Sequence, residues 1–211
     1  MWIPKVPKVP SGAIAIVFVI CCIYPYIMIF EYIGYCLHKD QVTIEQTVYE
    51  GITWRDEGYV GGTDYLNFSV EIAFKKKEVS KVYAHTLVFK DNKYIGHIQS
   101  TFEGTSEKRQ DATLVYYFEP NSIQKMYFHL SHPTNRSWEN NEVFKELYYG
   151  NAEDFTFTTN VIYVAFTDGV VVGHNFATYY YDENGIIYYK DENSHKDRYY
   201  YYDDKGRKRY A

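Results

Sequence analysis

Tyr65-Leu-Asn-Phe-Ser-Val-Glu-Ile-Ala-Phe74 runs at period two, the spacing that turns successive side chains to opposite faces of a strand. The same patterning recurs on both sides of it, in a segment rich in Tyr, Val, Ile, Phe and Thr, residue types that suit a pleated and half-buried surface. It predicts strands over residues 43–54, 65–74, 81–89, 94–102, 112–119, 124–130, 155–166, 170–181, 186–190 and 198–203. Asp91-Asn92, Asp168-Gly169 and Asn184-Gly185 fall between apolar runs. These residues accept positive φ at little cost, so each predicts a hairpin turn. Only residues 140–147 suggest a short helix, with Val143, Phe144 and Leu147 at helical spacing.

The fold class read from this pattern is all-β, an antiparallel β-sandwich of the immunoglobulin-like class. An internal similarity bears on the domain count. Phe89-Lys-Asp-Asn-x3-Gly96-His97-x3-Thr101-Phe102 is echoed by Phe166-Thr-Asp-Gly-x3-Gly173-His174-x3-Thr178-Tyr179 at a separation close to one immunoglobulin-like domain. One sandwich over residues 41–175 is favoured over two in tandem, because the similarity fades outside the two hairpins.

Toward the N-terminus the chain changes character. Ala13 to Phe30 (AIAIVFVICCIYPYIMIF) carries no charge and follows Lys5 and Lys8. Continued to Leu37, it gives a helix able to cross about 30 Å of hydrocarbon. The run is too long for the apolar core of a signal peptide, and no small-x-small cleavage site follows it. The expectation is a single N-terminal transmembrane helix over residues 11–37, anchored through Ile14, Phe18, Pro25 and Phe30 and kinked at Pro25. Lys5, Lys8 and the amino terminus outweigh Lys39, so residues 1–10 are read as a cytoplasmic tail and the C-terminal domain as extracellular, at the cell membrane. Cys21, Cys22 and Cys36 all lie in or beside this helix, leaving the remainder to fold without disulfides.

The full chain holds 22 basic and 27 acidic residues, a net charge of -5. Lys205, Arg207, Lys208 and Arg209 form a dense basic cluster at the C-terminal end, read as a solvated tail, and with an acidic balance overall nucleic acid is not an expected partner. No Gly-x-Ser-x-Gly, His-Glu-x-x-His or phosphate-loop motif is present, so no catalytic residue is assigned and no cofactor expected. His129 and His132 are weak candidates for metal ligands, since a flat strand would turn them to opposite faces. Asn67-Phe-Ser69 and Asn135-Arg-Ser137 fit the glycosylation pattern, but the Lys, Asn, Ile and Tyr bias resembles coding by an AT-rich bacterial genome and discounts them.

Of the 25 tyrosines many crowd residues 176–211, where Tyr179-Tyr-Tyr-Asp182-Glu-Asn-Gly185 recurs as Tyr200-Tyr-Tyr-Asp203-Asp-Lys-Gly206. The Tyr-Asp-x-x-Gly core resembles the YD repeats of bacterial surface and toxin proteins. Its aromatic-turn-Gly spacing is similar to the roughly 20-residue cell-wall-binding repeats of Gram-positive bacteria, although the Gly-Trp pair of the latter is missing. With two copies, the segment reads as a Tyr-rich hairpin packed on the sandwich or continuous with it. Tyr180, Tyr181, Tyr188, Tyr189, Tyr200 and Tyr202 are its candidate ligand contacts, because tyrosine stacks on sugar rings or buries against a partner at modest entropic cost. The leading functional expectation is a non-catalytic binding module at the cell envelope, held to the lipid bilayer by its helix and recognising wall glycan or an envelope protein. The alternatives are an accessory subunit of a membrane complex, and an envelope hydrolase with dispersed carboxylates.

Overall fold

A computed structural model describes residues 24–56, 58, 61–110, 113–131, 138–173, 179–191, 194, 198–203, 205 and 207–211. The chain divides into two compact units, Met1–Lys39 and Asp40–Ala211.

In the first unit the described element is helix α1 (Tyr24–His38). Pro25 lies within it, and the residues before Tyr24, from which a kink at Pro25 would be read, lie outside the described residues. The helix closes with His38 Nδ1 2.6 Å from the Gly34 carbonyl. Its aliphatic and aromatic side chains lie open, among them Ile27, Met28, Ile29, Ile33, Leu37 and, at 69% exposure, Phe30. Fifteen residues span only about 22 Å, and among the described residues no helix is long and apolar enough to cross a membrane. The anchor expected over residues 11–37 is thus described only in its second half. Ile14 and Phe18 lie outside the described residues.

The second unit begins with β1 (Val42–Asp56), β2 (Gly62–Phe74), β3 (Val79–Lys90) and β4 (Lys93–Glu103). A hairpin of β5 (Ser106–Gln110) and β6 (Thr113–Tyr117) leads to β7 (Ser122–Ser131), helix α2 (Trp138–Tyr149), β8 (Phe155–Phe166) and β9 (Val171–Gly173). Four short strands finish the chain, namely β10 (Tyr179–Tyr181), β11 (Ile187–Lys190), β12 (Tyr199–Tyr202) and β13 (Lys208–Tyr210). All described pairings are antiparallel. Their orders are β1-β2-β7, β4-β3-β8-β9, β5-β6 and β10-β11-β12-β13.

Period two in the sequence becomes burial in space. Leu66, Phe68, Val70, Ile72 and Phe74 of β2 all point inward, and the first four are fully buried. They share their core with Val82, Ala84, Val88, Phe102 and Val164 of the β4-β3-β8-β9 sheet, so the β1-β2-β7 sheet and that sheet face one another. Phe74 stacks on Phe118 at a centroid distance of 4.3 Å, and Phe68 stacks on Phe128 at 5.1 Å. A chain of three hydroxyls links the layers where Thr159 Oγ1 lies 2.6 Å from Thr47 Oγ1 and 2.8 Å from Thr86 Oγ1. That satisfies polar atoms which burial would otherwise penalise. Helix α2 closes the end of the core with Val143, Phe144 and Leu147, the three residues its sequence spacing singles out.

Asp91 and Asn92 (φ 50° and 63°) turn β3 into β4, while Gly169 and Gly185 take positive φ at the β8–β9 and β10–β11 turns. All three expected hairpins are present. The echoed Gly-His pattern marks two of them, β3–β4 and β8–β9, side by side in one sheet through the β3–β8 pairing. Residues 170–181, expected as one strand, form two that pair in different sheets; a period-two pattern carries no mark of where a chain changes partners. Strand β5 (SEKRQ) has no apolar residue to announce it; it pairs with β6, where Lys108 Nζ lies 5.5 Å from the Tyr117 ring centroid. Asn67 sits in the central strand of its sheet, where its Nδ2 reaches the Gly51 carbonyl (3.3 Å), Thr53 Oγ1 (3.0 Å) and the Tyr65 carbonyl (3.1 Å), a setting closed to glycosylation in the folded domain. Asn135 lies outside the described residues.

Phe68 is fully buried against Tyr49, Phe128 and Phe157. Phe68→Ala is expected to lower stability by about 3–5 kcal/mol, read as a shift of the urea midpoint with an unchanged slope.

Candidate functional site

The repeated Tyr-Asp motif folds twice into the same braced turn. Asp182 Oδ1 accepts the amides of Asn184 and Ile186, both at 2.9 Å, and the Asp182 amide donates to the Ile186 carbonyl (3.0 Å). Asp203 repeats this with the amides of Lys205 (3.0 Å) and Arg207 (2.9 Å), and its own amide donates to the Arg207 carbonyl (3.0 Å). An aspartate that satisfies amides two and four residues ahead ends one strand and starts the next. Asp203 also holds the Arg207 and Arg209 side chains at 2.9 and 3.0 Å. The Arg207 amide above all, with the two guanidinium groups and the Lys205 amide, draws its carboxyl down to about 2. The basic cluster expected as a solvated tail is therefore in part a strand. Residues 208–210 form β13, and Lys208 Nζ sits 3.8 Å from the Tyr200 ring centroid.

Register sorts the tyrosines onto two faces. Tyr180 pairs with Tyr188, Tyr179 with Tyr189, and Tyr189 in turn with Tyr200. Tyr179, Tyr181, Tyr189, Tyr200 and Tyr202 therefore share one face, and Tyr180, Tyr188, Tyr199 and Tyr201 the other. Of the six candidate contacts, Tyr180 and Tyr188 stand on the outer face and the other four on the inner. The inner face covers β3 and β4, and its burial raises the hydroxyl pKa values of Tyr181 and Tyr189. Tyr189 is buried, whereas Tyr202 keeps 48% exposure.

Between these layers lies His85 of β3, fully buried and unmarked in the sequence except as one more strand residue. The Tyr181 hydroxyl is 2.7 Å from its Nδ1 and the Tyr179 hydroxyl 3.3 Å from its Nε2, so both nitrogens of a neutral imidazole are served. His97 stacks on it at 4.9 Å and meets the Tyr94 hydroxyl at 3.0 Å through its own Nδ1. Gln99 Nε2 donates to the Tyr179 hydroxyl at 2.9 Å. Burial first, and the neighbouring His97 second, hold the His85 pKa down to about 3. His174, the counterpart of His97 in the echoed pattern, lies outside the described residues.

On the outer face the rings form a continuous strip. Tyr180 and Tyr188 stack at 5.1 Å with only 6° between planes, Tyr199 meets Tyr180 edge-on at 5.0 Å, and Tyr201 lies 5.2 Å from Tyr188. Tyr180 belongs also to the rim of a cleft of about 420 Å³ lined by Tyr94, Ile95, His97 and Glu142. A second cleft of about 730 Å³ shares Tyr94, Ile95 and Glu142 with it and continues to Lys93 and Lys145. The floor is tight because Gly96, at φ +154°, has no Cβ, and one built there would lie 2.3 Å from Val143 Cγ2. Aromatic faces beside a polar groove can stack a ring and hydrogen-bond its rim.

His129 lies on the exposed face of β7, edge-on to Tyr65 at 5.0 Å, and His132 is outside the described residues. Among the described residues no group of three or more His, Cys, Asp or Glu is placed to hold a metal ion. Comparison with protein-family models, with curated proteins and with solved structures finds no match to this chain.

The unfolded chain takes up a proton on His85 near the ordinary value of 6.5, and the folded chain only near 3. Stability held above pH 6.5 should thus decline as pH falls from 6.5 toward 3. Chemical denaturation across that window should show the decline, amide protection factors in β10 and β11, corrected for the intrinsic pH dependence of exchange, should fall with it, and His85→Gln should flatten the profile.

Proposed function

We propose that this protein is a membrane-anchored recognition module, an immunoglobulin-like β-sandwich held on the outer side of the cell membrane by its N-terminal helix. Its tyrosine sheet binds glycan of the cell envelope. The observation that carries the reading is the outer strip of Tyr180, Tyr188, Tyr199 and Tyr201, four contiguous rings on a sheet whose opposite face is tied down by His85. Rings fixed in this way lose little entropy when a sugar stacks on them. The inner rings Tyr181 and Tyr189 serve as the support.

Strand order favours the immunoglobulin-like class. A three-stranded β1-β2-β7 sheet against β9-β8-β3-β4 has the neighbours expected when strands A, B and E face G, F, C and C′. The anchor is supported by the open aliphatic surface of α1, which would be costly in water, and by the uncharged run preceding it in the sequence. The tyrosine strip also lies toward the far end of the domain from where the chain enters it, since Gly185 approaches Leu87 and Phe89 near the end of β3 whereas Gln41 bonds the loop before that strand.

Two measurements test the proposal. Protease treatment of intact cells carrying a C-terminal tag should remove the tag; protection until lysis would sink the external orientation. Titration of the full chain in detergent with solubilised envelope glycan should quench tyrosine fluorescence. Tyr188→Ala and Tyr201→Ala should each weaken that binding about 3- to 10-fold while leaving the unfolding midpoint nearly in place, as expected for the loss of one stacked ring. Equal binding by the double variant would remove the strip from consideration.

A further inference from the structure

The loop between β2 and β3 is tied to the first residues of the β-domain. The Lys75 amide donates to the Gln41 carbonyl at 2.9 Å, and the amides of Lys76 and Lys77 donate to Gln41 Oε1 at 3.1 and 3.2 Å. One glutamine thus fixes three consecutive lysines by their backbone and leaves their ammonium groups uncommitted to the turn. Lys75 and Lys76 are exposed, and Lys77 is half-buried. On the other side, the Asn121 amide donates to the Lys75 carbonyl at 2.6 Å, so the loop is held from two directions.

The acid that follows does little to cancel this charge. Glu78 is bonded by Lys108 Nζ and, at 2.9 Å, by Thr167 Oγ1, and the Lys108 contact chiefly lowers its pKa. Asp168 lines the same shallow pocket as Lys76 and Lys77, and Asp40 precedes Gln41.

Chain connectivity then limits where the lysines can go. Helix α1 ends at His38, and three peptide steps separate its last residue from Gln41. Those steps reach at most about 11 Å, close to one screening length of about 10 Å at moderate salt. With α1 in a bilayer, the loop bonded to Gln41 is held near the headgroup layer whatever angle the domain adopts. We propose that Lys75, Lys76 and Lys77 form a basic collar that binds the phosphates of anionic phospholipids where the chain leaves the membrane. The proposal rests on the anchor part of the reading above.

The test is the composition of lipid retained by the full chain. Protein reconstituted in mixed phosphatidylcholine and phosphatidylglycerol vesicles is excised in polymer-bounded discs, and the retained lipid is compared with the bulk. The wild-type chain should enrich phosphatidylglycerol, and raised salt should reduce the enrichment. Replacing the three lysines with alanine should lower it severalfold, replacing them with arginine should preserve it, and Lys93→Ala with Lys145→Ala should leave it unchanged. Flotation of the same chain with alkali-washed vesicles is measured in parallel. Flotation with no lipid preference, or with a preference that survives the alanine triple, overturns the collar and leaves the anchor standing. Failure to float overturns the anchor and the collar with it.

Discussion

Strand β3 is buried on both sides, and most of the architecture answers that constraint. Its even-numbered residues, Val82, Ala84, Thr86 and Val88, meet β2 across the core, while His85 and Leu87 face the other way and are equally covered. An antiparallel sheet ordinarily leaves one face to solvent. Here the second face carries an imidazole and aromatic rings that require both cover and hydrogen-bond partners. The C-terminal strands supply both: Tyr179 and Tyr181 bring hydroxyls to the two ring nitrogens, and their rings close over the sheet. The tyrosine sheet is consequently a third layer of the fold.

How much of this the sequence disclosed follows from what each pattern encodes. Alternation reports a strand with one face in and one face out, so β2 and the braced turns at Asp91, Asp168 and Asn184 were legible residue by residue. Helix α2 was legible from three apolar residues at helical spacing. Strands β5 and β13 were not, because charged and polar side chains dominate both and neither carries an apolar alternation. The two-sided burial of β3 was not legible either, since His85 looks like the polar half of an alternation until the covering layer is known. The tyrosines were visible as a group, yet only register separates the inner rings from the outer strip, and register is a property of strand pairs.

Tyrosine suits a layer with these two duties. Its ring fills space against β3 and β4, and its hydroxyl answers a buried polar atom that phenylalanine would leave unsatisfied. Turned outward, the same side chain presents a flat amphipathic surface. One residue type thus fills the interior on one side of a strand and forms an aromatic surface on the other, which accounts for runs such as Tyr179–Tyr181 and Tyr199–Tyr202 that alternation alone does not explain.

The aspartate-braced turns carry a further implication. Each of the two hairpins closes on its own carboxylate, with bonds that reach no farther than four residues ahead in the backbone. Such a unit needs nothing from the sandwich to define its bend. A hairpin beyond β11 can therefore be duplicated or deleted in a gene without uncovering His85, and the width of the aromatic platform becomes a heritable, stepwise variable, adjusted one hairpin at a time.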